Sequence, residues 1–417
     1  MAMAMATACG GGDSNDPTGT PDGADDASPT VSDQVQGIAL FGSPEWTRDA
    51  IESLLTEGGS LPIFLPAGGR DASVFEGLTI TGEREIIGVT PASTARAESP
   101  FGEAYASAYG EEPTEAARLA YDAVYLGTLA AIAANSTDPS AVGSNIAYIA
   151  NPPGAVTIAS PEGFTAVIGA LAAGTEVDLL GASGLIDLTT NGAQSKGAVE
   201  VWKVLNGAPA PLETRDVDLA AEIGAEVPAG ARFSGDAPVP PLIVGLLATE
   251  GDGTGAFEGA QLAVDEINAA GGAFGEPIEL AAQDPSGDAS AATQGLVDGQ
   301  ASFIVGPLTA GLLVAAAGVA QEAAIPLLSL AATTLVEAGD DGNTIFSMAP
   351  LDTLQTAVLT NLAIERDALN VCLVWEEGAF GEAMSKAMFA ALEAKGGAAS
   401  GPGGPTPGDA AANACEP

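Results

Sequence analysis

Short apolar runs alternate with longer amphipathic stretches along most of this chain. Gly37–Phe41 is strand-like, and Ser43-Pro44-Glu45 then supplies an N-cap, a first-turn proline and an early acid. Apolar residues recur at helical spacing as far as Gly58-Gly59. The second half repeats the pattern, with the apolar run Leu242–Ala248 followed by a helix that ends at Gly271-Gly272. Repeated βα units predict an α/β fold with parallel sheets covered by helices on both faces.

Three further segments stand out. Thr114–Ala134 predicts a long, alanine-rich helix. Leu185–Leu188 and Ala198–Val204 flank Asn191-Gly192 and predict a β-hairpin. The Pro- and Gly-rich stretch Val227–Pro241 predicts a linker between the two halves.

The amino-acid composition disfavours several classes of function. The 417 residues carry 12 Lys plus Arg against 55 Asp plus Glu, a net charge of −43, and no His. Such a charge opposes binding to nucleic acid or anionic lipid headgroups, which need cationic contacts. The absence of His disfavours a hydrolase triad or a zinc site, and no paired-acid arrangement is evident. We therefore expect no enzyme activity, no metal and no cofactor. The most apolar run, 308–335, is broken by Gly, Gln, Glu and Pro and predicts buried core.

The N-terminus predicts an exported protein. Small residues precede Cys9, as at a bacterial lipoprotein cleavage site, and a polar Gly/Asp/Pro/Ser tether follows. Membrane attachment is expected through a lipid on Cys9 only; the alternative is a disordered tail with an incidental cysteine. Export would permit a disulfide between Cys372 and Cys415, whereas the alternative for Cys372 is a small buried side chain in a strand.

Several motifs together resemble a known family. They are Val244-Gly245-Leu246 with Gly259–Gly272, Ile304–Thr309, Ile325–Thr333, Asn343–Phe346 and Val371–Glu382 in the second half, and Ala120–Leu126, Ser136–Pro139, Gly181–Gly184 and Val201–Val204 in the first. These segments resemble the type I periplasmic solute-binding proteins, and among them the leucine/isoleucine/valine-binding receptors of ABC transporters. The resemblance covers nearly all of residues 35–395. It implies two αβα lobes joined by a hinge, with a ligand cleft between them.

The order of the motifs departs from that family, because the second half of this chain resembles the family's beginning. The chain therefore looks circularly permuted; the alternative is a fragment of a tandem duplication that needs a partner. The predicted divisions are a tether (1–33), second-lobe parts (34–87, 177–226 with the hairpin, and 352–395), first-lobe parts (88–176 and 242–351), a linker (227–241) and a flexible tail (396–417). Strands within Val35–Gly88 should then share a sheet with Val371–Trp375.

The resemblance implies which residues line the cleft. First-lobe loops contribute Thr309 and Ala310, then Ser329 and Ala331, Ala332 and Thr333, which in the family hold the charged backbone of an amino acid. Second-lobe loops contribute Ser43, Ala67, Gly68 and the aromatic Phe380. For the hydroxyls of Thr309, Ser329, Thr333 and Thr334, the alternative is a helix cap or turn residue serving only its own element.

Two residues depart from the family pattern. Ala310 stands where the receptors often have Ser, and Ala67 near a position that supplies a carboxylate for the ligand's ammonium. Glu45, Asp71 or Glu377 would have to substitute. The resemblance thus implies a small polar solute (an amino acid, amide or small carboxylate) delivered to an ABC permease from the periplasm or cell surface. The alternative is a non-transport envelope lipoprotein, an adaptor or ligand sensor using the same fold.

The acidic composition predicts that stability rises with salt. Folding concentrates like charges, and the Debye length falls from about 10 Å at 0.1 M to about 3 Å at 1 M salt. The thermal unfolding midpoint should therefore be higher in 1 M than in 0.1 M sodium chloride. A flat or falling midpoint would mean that local pairing, bound cations or raised pKa values already neutralise the acids.

Overall fold

A computed structural model describes residues 35–80, 84–92, 99–223, 226–331, 344–349 and 352–400. Its strands are β1 (Gly37–Phe41), β2 (Ile63–Leu65), β3 (Ile86–Ala92), β4 (Ala155–Ile158), β5 (Val177–Leu180), β6 (Lys196–Leu205), β7 (Ala208–Asp218), β8 (Ile243–Leu246), β9 (Glu279–Ala282), β10 (Phe303–Val305), β11 (Leu327–Ser329), β12 (Ile345–Ser347), β13 (Asn370–Trp375) and β14 (Ala398–Ser400). Its α-helices are α1 (Pro44–Glu57), α2 (Phe101–Tyr109), α3 (Glu115–Ala134), α4 (Pro139–Gly143), α5 (Ile146–Ala150), α6 (Pro161–Ala172), α7 (Leu219–Ile223), α8 (Ala256–Ala269), α9 (Ala289–Asp298), α10 (Ala310–Glu322), α11 (Asp352–Ile364) and α12 (Ala379–Ala394).

These strands form three sheets. One has seven strands in the order β14-β13-β1-β2-β3-β6-β7, one has five in the order β12-β11-β10-β8-β9, and β4 pairs with β5. All pairings are parallel except those of β6 with β3 and with β7. We call the seven-stranded sheet with its helices the seven-stranded lobe. The five-stranded sheet, its helices and the β4–β5 pair form the five-stranded lobe.

Strand alternation gives each large sheet a core on both faces. In β1, Ile38 and Leu40 face one apolar cluster, whereas Ala39 and Phe41 face another that includes α11 and α12. In β10, Phe303 and Val305 pack towards α3 and α8, whereas Ile304 packs towards α9 and α10. Among the described residues, each of the four clusters belongs to one lobe only. The expected α/β architecture with parallel sheets is therefore present.

Both lobes draw on both halves of the chain. In the seven-stranded lobe, β1 pairs in parallel with β13 from Gly37↔Val371 to Phe41↔Trp375, which confirms the predicted sharing of a sheet. In the five-stranded lobe, α3 packs on α8 so closely that a Cβ on Gly259 would lie 2.1 Å from the Ala117 carbonyl oxygen. Small residues at this crossing allow the two helix backbones to touch.

The chain changes lobe at places slightly different from those predicted. β3 continues to Ala92 in the seven-stranded sheet, beyond the predicted end at residue 87. Residues 177–188 remain with the five-stranded lobe, since Val177, Ile186 and Leu188 lie in its core. The chain returns to the seven-stranded lobe only near residue 195, where β6 begins. The predicted return at residue 177 is too early, because the strand at 177–180 pairs with β4 in the five-stranded lobe.

The predicted hairpin around Asn191-Gly192 is wrong. Leu185 and Leu188 make only isolated bridges, and the long hairpin joins β6 to β7 instead. Its turn is Asn206-Gly207, with φ of 54° and 80° at the two residues. Positive φ at both positions is what a two-residue hairpin turn requires, and Asn-Gly is the sequence that supplies it.

Residues 226–241, which we call the strap, have no regular secondary structure but are fixed to the five-stranded lobe. Asn145 exchanges two hydrogen bonds with the backbone of Phe233, and Asn151 donates to the Pro228 carbonyl. The Arg232 guanidinium donates to the carbonyls of Ala133 and Leu171, at the C-terminal turns of α3 and α6. These contacts satisfy carbonyls that a helix end leaves unpaired. The predicted linker is thus an integral part of this lobe.

The C-terminal region is partly regular. β14 extends the seven-stranded sheet beside β13, so the predicted flexible tail begins later than residue 396. Cys372 is fully buried in β13 and is disulfide-bonded. Cys415 and Cys9 lie outside the described residues, and the Cys372–Cys415 pairing stays a prediction.

The α3–α8 contact predicts opposite effects for two glycine-to-alanine changes. Gly259→Ala should lower the free energy of unfolding by about 1–3 kcal/mol, since the new methyl group meets the α3 backbone. Gly318→Ala is the matched control, because this exposed position in α10 has open space around it. It should raise stability by up to about 1 kcal/mol through helix propensity. Urea unfolding of both variants measures this; a neutral Gly259→Ala would refute the close contact.

Candidate binding site

The candidate residues lie on loops at the carboxyl ends of parallel strands. In the five-stranded lobe these loops follow β10 and β11, and in the seven-stranded lobe they follow β1, β2 and β13. Helices begin at such edges, and their first N–H groups have no partner within the helix. Each edge therefore offers donors that can receive an anionic or polar ligand group.

In the five-stranded lobe, Thr309 occupies the N-cap position of α10. Its side chain is exposed and makes no capping hydrogen bond to the helix. Ala310 is the first helical residue and is half-buried. The capping role proposed as the alternative for such hydroxyls is therefore not the one Thr309 has. The start of this 13-residue helix keeps its donors available.

The loop after β11 lies beside this helix start. The Leu330 N–H donates to the Pro307 carbonyl at 3.1 Å, which places residues 329–331 next to the segment leading to Thr309. Ser329 is fully buried, and its Oγ accepts from the Ala331 N–H at 3.2 Å, so its hydroxyl serves a local turn. Ala331 is also buried. Ala332, Thr333 and Thr334 lie outside the described residues.

In the seven-stranded lobe, the loops after β1 and β13 are joined. The Ser43 Oγ accepts from the Trp46 N–H at 3.4 Å and caps α1, as the motif Ser43-Pro44-Glu45 predicted. The Ser43 N–H donates to Glu376 Oε2 at 2.6 Å. Glu376 is thus held at this edge, although the sequence pointed to its neighbour Glu377. Its position directly after the apolar run of β13 is the signal that could have identified it.

The loop after β2 completes this edge. A Cβ on Gly68 would meet the Gly42 carbonyl oxygen at 3.6 Å, so this loop touches the one after β1. The Ala67 N–H already donates to Gln355 Oε1 at 2.8 Å, which leaves it less free for a ligand than predicted. Phe380, in the first turn of α12, is 40% exposed. An exposed aromatic ring at a strand edge suits contact with a solute.

Two of the proposed substitute acids lie together at the same edge. Glu45 and Asp71 line, with Ser43 and Arg48, a cavity of about 510 Å³. The Asp71 carboxylate accepts the hydroxyl and the N–H of Ser73 at 2.7 and 2.9 Å, which hold its pKa below the usual range. Asp71 is therefore ionised near neutral pH. This edge carries carboxylates suited to a cationic group.

The described part of the chain shows neither a cluster of metal ligands nor a membrane-spanning helix. Among these residues, no group of three or more His, Cys, Asp or Glu side chains is arranged to hold a metal ion. None of the described helices combines the length and the apolar character needed to cross a bilayer.

Comparison with known proteins finds similarity in the second half of the chain. Residues 245–413 match the family described as periplasmic binding protein. The Leu/Ile/Val-binding protein BraC3 of Rhizobium johnstonii is 30% identical over 159 residues, which are 37% of this chain and 42% of that protein.

Two solved structures are similar over a comparable share. The branched-chain amino acid transporter substrate-binding protein LivJ of Streptococcus pneumoniae, in complex with isoleucine, is 29% identical, with 41% of this chain and 51% of that chain covered and a TM-score of 0.31. An ABC transporter solute-binding protein of R. palustris, in complex with 4-hydroxybenzoate, is 21% identical, with 40% and 46% covered and a TM-score of 0.31.

The chain thus spans only about half the length of these relatives, and residues 35–244 lie outside the matched family region. Residues 245–413 are therefore similar in sequence to periplasmic binding proteins, and a comparable share of the chain is similar to BraC3 and to LivJ.

Proposed function

We propose that this chain is the solute receptor of an ABC transporter, working in the periplasm or at the cell surface. It would bind an amino acid or an aromatic carboxylate between the carboxyl edges of its two lobes and deliver it to a membrane permease. The supporting observation is the uncapped start of α10 at Thr309, beside the loop after β11. A helix start with free N–H groups is a suitable partner for a carboxylate.

The charges of the two edges favour a zwitterion. The ligand's carboxylate would lie at the start of α10, where the helix dipole contributes partial positive charge. Its ammonium would lie at the other edge, near Glu45, Asp71 and Glu376. LivJ was solved with isoleucine and the R. palustris protein with 4-hydroxybenzoate, and both compounds carry a carboxylate. Only the amino acid also carries an ammonium group that can interact with the carboxylates of the seven-stranded lobe's edge.

Transport would proceed by selection of a closed state. A ligand that touches both edges binds the closed arrangement more tightly than the open one and so increases its population. The permease would recognise that state. Nothing in this cycle breaks or forms a covalent bond, in keeping with a family of solute-binding proteins. A lipid on Cys9, outside the described residues, would keep the receptor near its permease.

We also infer that the chain order is a circular permutation. β1 pairs with β13 and α3 packs on α8, so one chain supplies the strands and helices of both lobes. The strap supports this proposal, because it joins the end of β7 and α7 to β8 along the surface of the five-stranded lobe. A tandem fragment would instead complete its lobes with a second chain.

The ligand proposal predicts a loss of affinity in Thr309→Val. A buried ligand oxygen would lose a hydrogen-bonding partner, at a cost of about 1–3 kcal/mol, which is about 5–150-fold in Kd. Thr56→Val is the control, since the Thr56 hydroxyl donates to Glu52 O in the last turn of α1, away from the carboxyl edge. Titration calorimetry with isoleucine and with 4-hydroxybenzoate measures both variants.

Isoleucine should bind more tightly than 4-hydroxybenzoate if the acidic edge contributes. Equal losses in both variants would remove Thr309 from the site. Failure of both compounds to bind, with no small molecule found by mass spectrometry of the purified protein, would refute the proposed function.

The permutation proposal predicts a monomer. Sedimentation equilibrium should give the mass of one chain at micromolar concentration, because the lobes need no second copy. A stable dimer that exchanges halves would favour the tandem-fragment alternative; mixing two mass-tagged preparations and testing for hybrid dimers distinguishes this from simple self-association.

A further inference from the structure

The segment that leads from β5 to β6 is fixed to the five-stranded lobe along most of its length. Asp122, fully buried in α3, accepts hydrogen bonds from Ala182 N, Ser183 N and Ser183 Oγ at 2.6–2.8 Å. Asn151 exchanges two hydrogen bonds with the backbone of Leu188, and the Ser347 N–H of β12 donates to the Gly192 carbonyl. Residues 182–192 therefore move with this lobe.

At Ser195 the chain passes from the five-stranded lobe to the seven-stranded lobe. The Ser195 N–H and Oγ donate to the Asp187 carbonyl at 2.7 and 3.0 Å, whereas its own carbonyl accepts from Leu219 N at 2.8 Å. Leu219 lies in the core of the seven-stranded lobe. Any rotation of one lobe against the other must bend the chain between Gly192 and Lys196, the first residue of β6.

An ion pair connects the two sides of this bend in the chain. Lys196 Nζ lies 2.6 Å from Asp187 Oδ2, and the Asp187 side chain is only 1% exposed. Asp178, in β5 and 8% exposed, interacts electrostatically with both groups, and its Oδ1 has no hydrogen-bond partner. Asp218 of β7 is opposite Lys196 in the sheet. Three acids thus surround one lysine at the junction of the lobes.

The charges at this junction are poorly balanced. Burial, and then repulsion by Asp187, raise the pKa of Asp178 to about 6, with Lys196 opposing. Burial works to lower the pKa of Lys196, but Asp187, Asp218 and Asp178 together hold it above its usual value. Separating Lys196 from Asp187 would leave a buried carboxylate without a counter-charge, which is unfavourable in a low-dielectric interior.

We propose that the Asp187–Lys196 ion pair, with Asp178 as its modulator, is an electrostatic latch that sets how readily the two lobes open. The latch rests on the proposed function, since lobe opening serves a receptor that admits and releases solute. Weakening the ion pair favours opening, because water then reaches the unbalanced acids. Neutralising Asp178 strengthens the ion pair, because Lys196 then interacts with Asp187 without competition from Asp178.

Small-angle X-ray scattering of the ligand-free protein tests the latch without any ligand. At pH 7.5, Lys196→Met should increase the radius of gyration and Asp178→Asn should leave it unchanged or decrease it. Lys203→Met is the matched control, since it removes the same charge from the same strand without touching Asp187. Adding Asp178→Asn to Lys196→Met restores the local net charge and should reverse the increase.

Two outcomes would overturn the latch. One is an equal increase in Lys196→Met and Lys203→Met; the other is an increase in Asp178→Asn. If Lys196→Met fails to fold, the single Asp178→Asn variant still decides, and hydrogen exchange of the peptide spanning residues 186–196 should slow in it relative to wild type. Because no ligand is used, these results stand independently of the proposed function, whereas calorimetry tests that function alone.

The contribution of Asp178 to the stability of the folded protein should change with pH in a known direction. The pKa of Asp178 is higher in the folded protein than in the unfolded chain, so its contribution to stability is greatest at low pH and is lost as pH rises through about 6. Asp178→Asn should therefore raise the thermal midpoint more at pH 7.5 than at pH 5. An equal gain at both pH values would mean that the protonation state of Asp178 does not change between pH 5 and pH 7.5, and hence that its pKa is not raised to this range.

Discussion

Strand β1 lies between β2 and β13, and its pairing with β13 brings the two ends of the described chain into one sheet. The seven-stranded lobe cannot be complete without this contact, because α11 and α12 cover one face of the strands that the first half supplies. The carboxyl edge depends on it as well. Ser43 and Glu376 meet only because the strands that precede them are neighbours.

Much of this architecture follows from local patterns in the sequence. Fully apolar runs such as Gly37–Phe41 are typical of strands buried on both faces, and the two clusters on either side of β1 show the reason. Ser43-Pro44-Glu45 predicted the start of α1 correctly, and Thr114 the start of α3. In each case the signal lies within a few residues of the feature that it predicts.

The sequence-based predictions failed where contacts between residues far apart in the chain determine the structure. Asn191-Gly192 and Asn206-Gly207 have the same turn sequence, but in the described structure only the second joins two strands that pair with each other, β6 and β7. The strap has a linker's composition, yet Asn145 and Arg232 fix it to helices far away in sequence. At the candidate site, sequence placed Thr309 and Ser43 at strand edges. It predicted correctly that Ser43 caps its helix, but it could not tell that Thr309 does not.

The order of the strands also bears on how the chain folds during synthesis. β1, β2 and β3 leave the ribosome long before α11, β13 and α12, so Ala39, Phe41 and Phe64 have no covering layer during most of synthesis. Stable folding of the seven-stranded lobe must wait for residues near the C-terminus. A lobe that stays unfolded until translation is nearly finished depends on chaperones to protect that uncovered apolar surface in the meantime.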